Sequence, residues 1–293
     1  MAVLSFADRL EARVAECGNP VCFGMDPVLD LMPVEGSSEE RVRRFYLEIL
    51  AEFVKRGVKP AIVKPNSAYY ECISVQALLV LQELIREYSR EGMLVVLDAK
   101  RGDIGKSSAA YAKAAFGVYG ADAVTVSPWM GSDSVEPFLK QQEGKGSYVL
   151  LRTSNKGAKD FQDLPVCDAG KAYESVAEKL LAWNNGSLGA VVGATNPGEL
   201  EVITRLFASR GQEIPFLIPG VSIPGVPGQQ GGQASEVISA IRAGGGKRKF
   251  HVLNSSSGLS FAWQANGEAK RFASAAADAL ERLSDDVRKA YRQ

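Results

Sequence analysis

The sequence predicts an α/β fold, a single (β/α)8 TIM barrel spanning residues 1–293 with an N-terminal and a C-terminal helix, and three observations predict it. Eight short runs rich in Val, Ile, Leu and Phe recur along the chain, each near-continuously apolar, as strands buried on both faces must be. Longer charged stretches with helical spacing lie between them. No obvious linker interrupts the 293 residues, a length comfortable for one barrel.

In order, the expected strands are Pro20–Met25, Ala61–Pro65, Met93–Ala99, Ala121–Val126, Ser147–Arg152, Leu188–Gly193, Ile214–Ile218 and Phe250–Asn254. Ahead of the first, Ser5 and Asp8 read as a helix cap, with Leu10 and Val14 on one face. Glu39–Arg56 sets Val42, Phe45, Leu47, Ile49, Leu50 and Phe53 among charges, and Ser74–Ser89 and Lys171–Trp183 are similar. Glu268–Arg292 reads as an amphipathic helix packed on the barrel. The rival architecture is an open doubly wound sheet, but its GxGxxG fingerprint is absent after the first strand, where Phe23–Gly24–Met25–Asp26–Pro27 stands instead.

Lys plus Arg and Asp plus Glu both number 34, so no basic surplus exists to grip nucleic acid. No apolar run approaches the roughly 20 residues of a membrane helix. Asp8, Arg9 and Glu11 break the apolar start that a secretory signal requires. A cytoplasmic protein is expected, with Cys17, Cys22, Cys72 and Cys167 as four buried free thiols. One histidine and no CxxC pair make a poor zinc enzyme, so no metal is expected. His251, between Phe250 and Val252, reads as a wall residue. Gly244–Lys249 (GGGKRK) reads as a solvated turn at the N-terminal face. The Gly/Pro-dense segment Ile218–Gly232 follows the seventh strand, where barrels often build a phosphate site.

Polar residues collect where the strands run out: Asp26, Lys64 and Asn66, Asp98 and Lys100, Ser127, Thr153 and Ser154, and Asn254 to Ser257. In a barrel these ends share one mouth. Asp98 and Lys100 are two apart on a strand, so both should point the same way, with Asp103 in the following loop. A lysine held between two carboxylates keeps its proton and serves as a proton donor rather than a Schiff-base nucleophile. A surface ion-pair network would show the same spacing.

DAKRGDI, from Asp98 to Ile104, resembles the DxKxxDI motif of orotidine 5′-phosphate decarboxylases. FGMDP at 23–27, VKPNSAYYE at 63–71, TVSPWMG at 125–131, LLRTSN at 150–155, VVGAT at 191–195 and NSSSGL at 254–259 are similar to the longer bacterial (type 2) branch, in the same order. The resemblance implies conversion of orotidine 5′-phosphate to UMP and carbon dioxide, the last step of de novo UMP synthesis, without metal or organic cofactor. It implies Lys100 as the group that protonates C6, with Asp98 beside the substrate carboxylate. Lys64 bridges the ribose and the charged network, and Asp26 accepts from a ribose hydroxyl. Ser154 binds the pyrimidine and Gln230 the phosphate. It further implies a homodimer, with Asp103 and the ribose-contacting Ser107 reaching across the interface.

Two departures stand out. Ser257 replaces the arginine that grips the phosphate in that branch, and SIPGVPG lengthens the loop after the seventh strand. A hydroxyl is no equal of a guanidinium fork, so the longer loop, backbone N–H groups near Ser256–Gly258 or a distant arginine must compensate, or phosphate affinity falls. Lys156, where the branch more often has proline, reads as a solvated loop residue. Two rival readings are a sugar-phosphate barrel enzyme using Asp98 and Asp103 on a metal, and a non-catalytic nucleotide binder.

Overall fold

The computed structural model describes residues 4–140, 143–167, 170–226 and 231–292. Eight parallel strands close into a barrel in sequence order. They are β1 (Val21–Met25), β2 (Ile62–Pro65), β3 (Leu94–Arg101), β4 (Ala123–Val126), β5 (Gly146–Arg152), β6 (Leu188–Val192), β7 (Phe216–Pro219) and β8 (Val252–Ser255). Each of the eight expected runs overlaps one of them, with β3 running two residues further, to Arg101, and β5, β7 and β8 each extending one residue beyond the expected run. Around the barrel lie α1 (Phe6–Cys17), α2 (Ser38–Arg56), α3 (Ser67–Glu71), α4 (Val75–Arg90), α5 (Gly105–Lys113), α6 (Ser132–Lys140), α7 (Ala172–Trp183), α8 (Pro197–Ser209), α9 (Ala234–Ala243), α10 (Ser257–Ser260) and α11 (Phe272–Ala290).

Strand alternation sorts the core into two compartments. Phe23, Val63, Val95, Val124, Val149, Ala190, Phe216 and Leu253 pack with the surrounding helices. Their neighbours Cys22, Ile62, Val96, Ala123, Tyr148, Val191, Leu217 and Val252 fill the barrel interior together with Phe6, Leu10 and Val14 of α1. Helix α1 therefore plugs the N-terminal end. Its cap is Ser5, whose hydroxyl accepts from the Asp8 N–H, and Phe6 meets Tyr148 edge-on at 5.7 Å.

Several local expectations need correction. Arg248 of the GGGKRK turn is not simply solvated: its guanidinium binds Glu11 and Asp8 of α1 at 2.7 and 2.8 Å and lies over the Phe250 ring, so the turn anchors the plug. Only Cys22 is fully buried, whereas Cys72 and Cys167 are exposed. The C-terminal helix begins at Phe272, preceded by a 3-10 turn at Ala269–Arg271. A small antiparallel pair, Pro165–Val166 with Gly170–Lys171, lies between β5 and α7, and its exposed two-residue arms are too short to carry an apolar periodicity. The long segment after β7 is tied at its neck by a bridge between Val221 and Gly232, and Ile223 is buried.

His251 is a wall residue as expected. Its Nδ1 accepts from the Phe216 N–H at 3.2 Å and its ring stacks on Phe216 at 4.7 Å. Nε2, buried, has no hydrogen-bond partner among the described residues. Burial, reinforced by Arg248, pushes its pKa down to about 3, so the imidazole is neutral at pH 7.

Candidate active site

The inward-facing positions that are apolar at the bottom of the barrel turn polar at the top. Continuing the alternation past Cys22, Ile62, Val96, Ala123 and Val252 gives Gly24, Lys64, Asp98, Thr125 and Asn254. These residues form the floor of the C-terminal mouth. A cavity of about 380 Å³ opens there, walled by Asp26, Lys64, Asn66, Asp98, Ser222 and Ser257, with the neck of the post-β7 segment along one side.

Two of its lining residues, Lys64 and Asp98, belong to a row of alternating charges that Lys100 completes. Asp98 Oδ2 accepts from Lys64 Nζ at 2.8 Å and Asp98 Oδ1 from Lys100 Nζ at 2.7 Å. Lys64 and Asp98 are buried, whereas half of the Lys100 side chain is exposed. Burial alone would raise the Asp98 pKa, but the two ammonium groups outweigh it and hold the carboxyl far below the usual range. Burial likewise opposes the charge on Lys64, and the carboxylates of Asp98 and Asp26 outweigh it and raise its pKa. Lys64 and Asp98 are therefore both ionised at neutral pH.

Plain strand alternation does not aim Lys100. The β3–β4 register slips between Leu97 and Arg101, and Lys100 sits in the slip with φ of 44°, the one non-glycine residue in the left-handed region among the described residues. Such a backbone costs on the order of 1–3 kcal/mol and persists only where its surroundings impose it. Thr125 of β4 supplies the restraint: its Oγ1 accepts from the Lys100 N–H at 2.9 Å and donates to Asp98 Oδ1 at 2.8 Å.

Two cavity residues carry buried oxygens with no hydrogen-bond partner among the described residues, Asp26 Oδ1 and Asn254 Oδ1. Unmet acceptors of this kind cost about 1–3 kcal/mol each, and a polyhydroxylated ligand would satisfy them. Close approach builds the neighbouring wall. A Cβ at Gly24 would fall 1.9 Å from Ser256 Oγ, so β1 needs glycine there for the turn into α10 to lie over it. Ser257 opens α10 and is exposed on the cavity wall. Among the described residues lining the cavity, Lys64 is the only cation, and no arginine takes the place left by Ser257.

The remaining expected residues lie elsewhere. Ser154 is exposed at the end of β5 and packs so closely on Gly193 that a Cβ there would lie 2.7 Å from its own. The loop carrying Ser154 is braced by buried Arg152, which reaches Asp163 at 3.2 Å, and by Gln162, which accepts from the Thr153 N–H. Asp103 does not flank Lys100 as the spacing suggested; its Oδ1 caps the Ile104 N–H at 2.7 Å. Ser107 is exposed on α5, and Lys156 is exposed as expected. Gln230 lies outside the described residues. Thr125 and Arg152 escaped the sequence reading; the signal for Thr125 was its position two residues beyond the inward-facing Ala123.

Comparison with known proteins bears on this geometry. Residues 41–249 match the model of the Orotidine 5'-phosphate decarboxylase / HUMPS family. The chain is 36% identical over 285 residues to an orotidine 5'-phosphate decarboxylase of Halobacterium salinarum, covering 96% of this chain and 98% of that relative. It is 39% identical over 290 residues to that of Variovorax paradoxus, covering 95% and 98%. Among solved structures, Leishmania donovani OMP decarboxylase superimposes with a TM-score of 0.71 at 31% identity, covering 95% of this chain and 99% of that one.

Proposed function

The chain belongs to the orotidine 5′-phosphate decarboxylase family, and from that premise we propose that it converts orotidine 5′-phosphate to UMP and carbon dioxide with its own side chains as the only catalysts. The observation that carries the reading is the Lys64–Asp98–Lys100 row, whose Lys64 and Asp98 line a polar cavity. The bond from C6 to the carboxylate breaks, and its electron pair stays on C6 in an orbital that no ring carbonyl delocalises efficiently. A fixed ammonium beside that carbon stabilises the charge as it forms, and the Lys100 proton then moves to C6. The amine regains a proton from water.

Asp98 keeps Lys64 charged and orients both lysines through its two oxygens. Lys64 and Asp26 suit ribose hydroxyls, Asp26 through its unpartnered oxygen. Ser154 is assigned to the pyrimidine, and Ser257 and Gln230 to the phosphate end. Phosphate binding, remote from C6, can then be spent on orienting the ring. Both Asp98 oxygens are taken by lysines and Asp103 points away, which weighs against the reading in which these two carboxylates share a metal.

We also assign the chain to the longer bacterial branch, on its motifs and its near-complete overlap with the Variovorax relative. A homodimer follows from the same reading, with the partner subunit's Asp103 and Ser107 completing the mouth. Exposed Ile104, Trp129, Met130 and Phe161 near it offer an apolar contact surface.

The test is loss of orotidine 5′-phosphate ultraviolet absorbance on adding protein, with and without EDTA, beside Lys100→Ala. Chelator-resistant turnover that disappears in a folded, UMP-binding variant is expected. Normal turnover by Lys100→Ala would overturn Lys100 as proton donor. UMP binding without wild-type turnover would favour the non-catalytic binder.

A further inference from the structure

We propose that Thr125 is a positioning residue for the decarboxylation, holding Lys100 in its left-handed backbone conformation and Asp98 in register with it. The inference rests on the decarboxylase reading for its kinetic consequence but on geometry for its substance. Lys100 has no paired residue on β4 across the register slip, and Thr125 Oγ1 accepts from its N–H at 2.9 Å. The same hydroxyl gives its own proton to Asp98 Oδ1 at 2.8 Å, the oxygen that also takes Lys100 Nζ at 2.7 Å. One oxygen atom thus closes a ring through the main chain of Lys100, its side-chain ammonium and the Asp98 carboxylate. A hydroxyl suits this because it combines a strong donor with free lone pairs in a small group, whereas a thiol does both only weakly.

Thr125 is 1% exposed, so it acts through Lys100 and Asp98. Without the hydroxyl, the Lys100 N–H loses this acceptor and the strained φ loses this restraint. A reacting group displaced by about 1 Å can cost about 100-fold in rate. Substrate affinity, set by the sugar and phosphate contacts at Asp26, Asn254 and Ser257, should hardly change.

The experiment compares Thr125→Val, Thr125→Cys and Thr125→Ser. Ser and Cys differ by one atom, so they isolate the hydroxyl oxygen even if Val proves too unstable to purify. In Val and Cys, kcat is expected to fall about 10- to 100-fold with KM and UMP affinity within about threefold, while Ser stays within about threefold of wild type. Crystal structures should show Lys100 leaving positive φ in Cys or Val and keeping it in Ser. Wild-type kcat in Cys, or an equal loss in Ser and Cys, would overturn the proposal. If the wild type does not turn over orotidine 5′-phosphate, the decarboxylase reading fails separately, and the Lys100 backbone in the Cys and Ser structures still decides whether Thr125 holds it.

Discussion

Lys64 and Asp98 form a buried ion pair, 2.8 Å from Nζ to Oδ2, on adjacent strands at the point where the barrel interior changes from apolar to polar. Each holds the other in its charged form. Asp98 has its pKa depressed, so its contribution to stability is complete above about pH 4 and is lost only as pH falls through the lower folded value. Lys64 has its pKa raised, so its contribution is complete below about pH 10 and is lost as pH rises through the higher folded value. Across the neutral range the pair does not titrate.

Asp98→Asn should therefore be costly well beyond catalysis. It leaves the Lys64 ammonium buried with Asp26 as its nearest remaining counter-charge, and breaking such a pair costs about 3–5 kcal/mol. Urea unfolding at pH 7 reads this directly. A loss under about 1 kcal/mol would show that Asp26 alone balances Lys64.

His251 should make the protein acid-sensitive. Its folded pKa of about 3 lies below the ordinary 6.5, so between these values the unfolded chain binds the extra proton and stability falls as pH falls. From pH 7 to 5 the loss is about 2 kcal/mol from this group. His251→Asn keeps an acceptor for the Phe216 N–H and should lose that component of the slope. Equal wild-type and variant slopes would mean that His251 is not held neutral.

Ser257→Arg tests the phosphate end of the cavity. An arginine at the opening of α10 should lower KM for orotidine 5′-phosphate about tenfold with kcat little changed, because a guanidinium adds binding common to ground and transition states. An unchanged KM would place the phosphate away from Ser257.

Much of the barrel was written in local pattern. The eight apolar runs were legible because a parallel strand covered on both faces has no polar side to show, and the Ser5 cap because its chemistry is local. Asp26, Lys64 and Asp98 were legible as strand ends, and closure of the barrel is what brings strand ends to one cavity. Arg248 misled because its partners, Asp8 and Glu11, lie about 240 residues away in sequence.

What the sequence by itself determined is the fold class and the chemical inventory of the mouth: two lysines, their carboxylate, and a serine where a guanidinium was expected. What only the tertiary structure decided is how that inventory is aimed. Two-residue spacing predicts a flat strand carrying Asp98 and Lys100 side by side, but the register slip and the left-handed backbone at Lys100 set the actual direction. Asp103, equally near in sequence, turns to its own loop. The reason is that a bulge is stabilised by the neighbouring strand, here through Thr125, and pairing across strands is a non-local property that no spacing within β3 encodes.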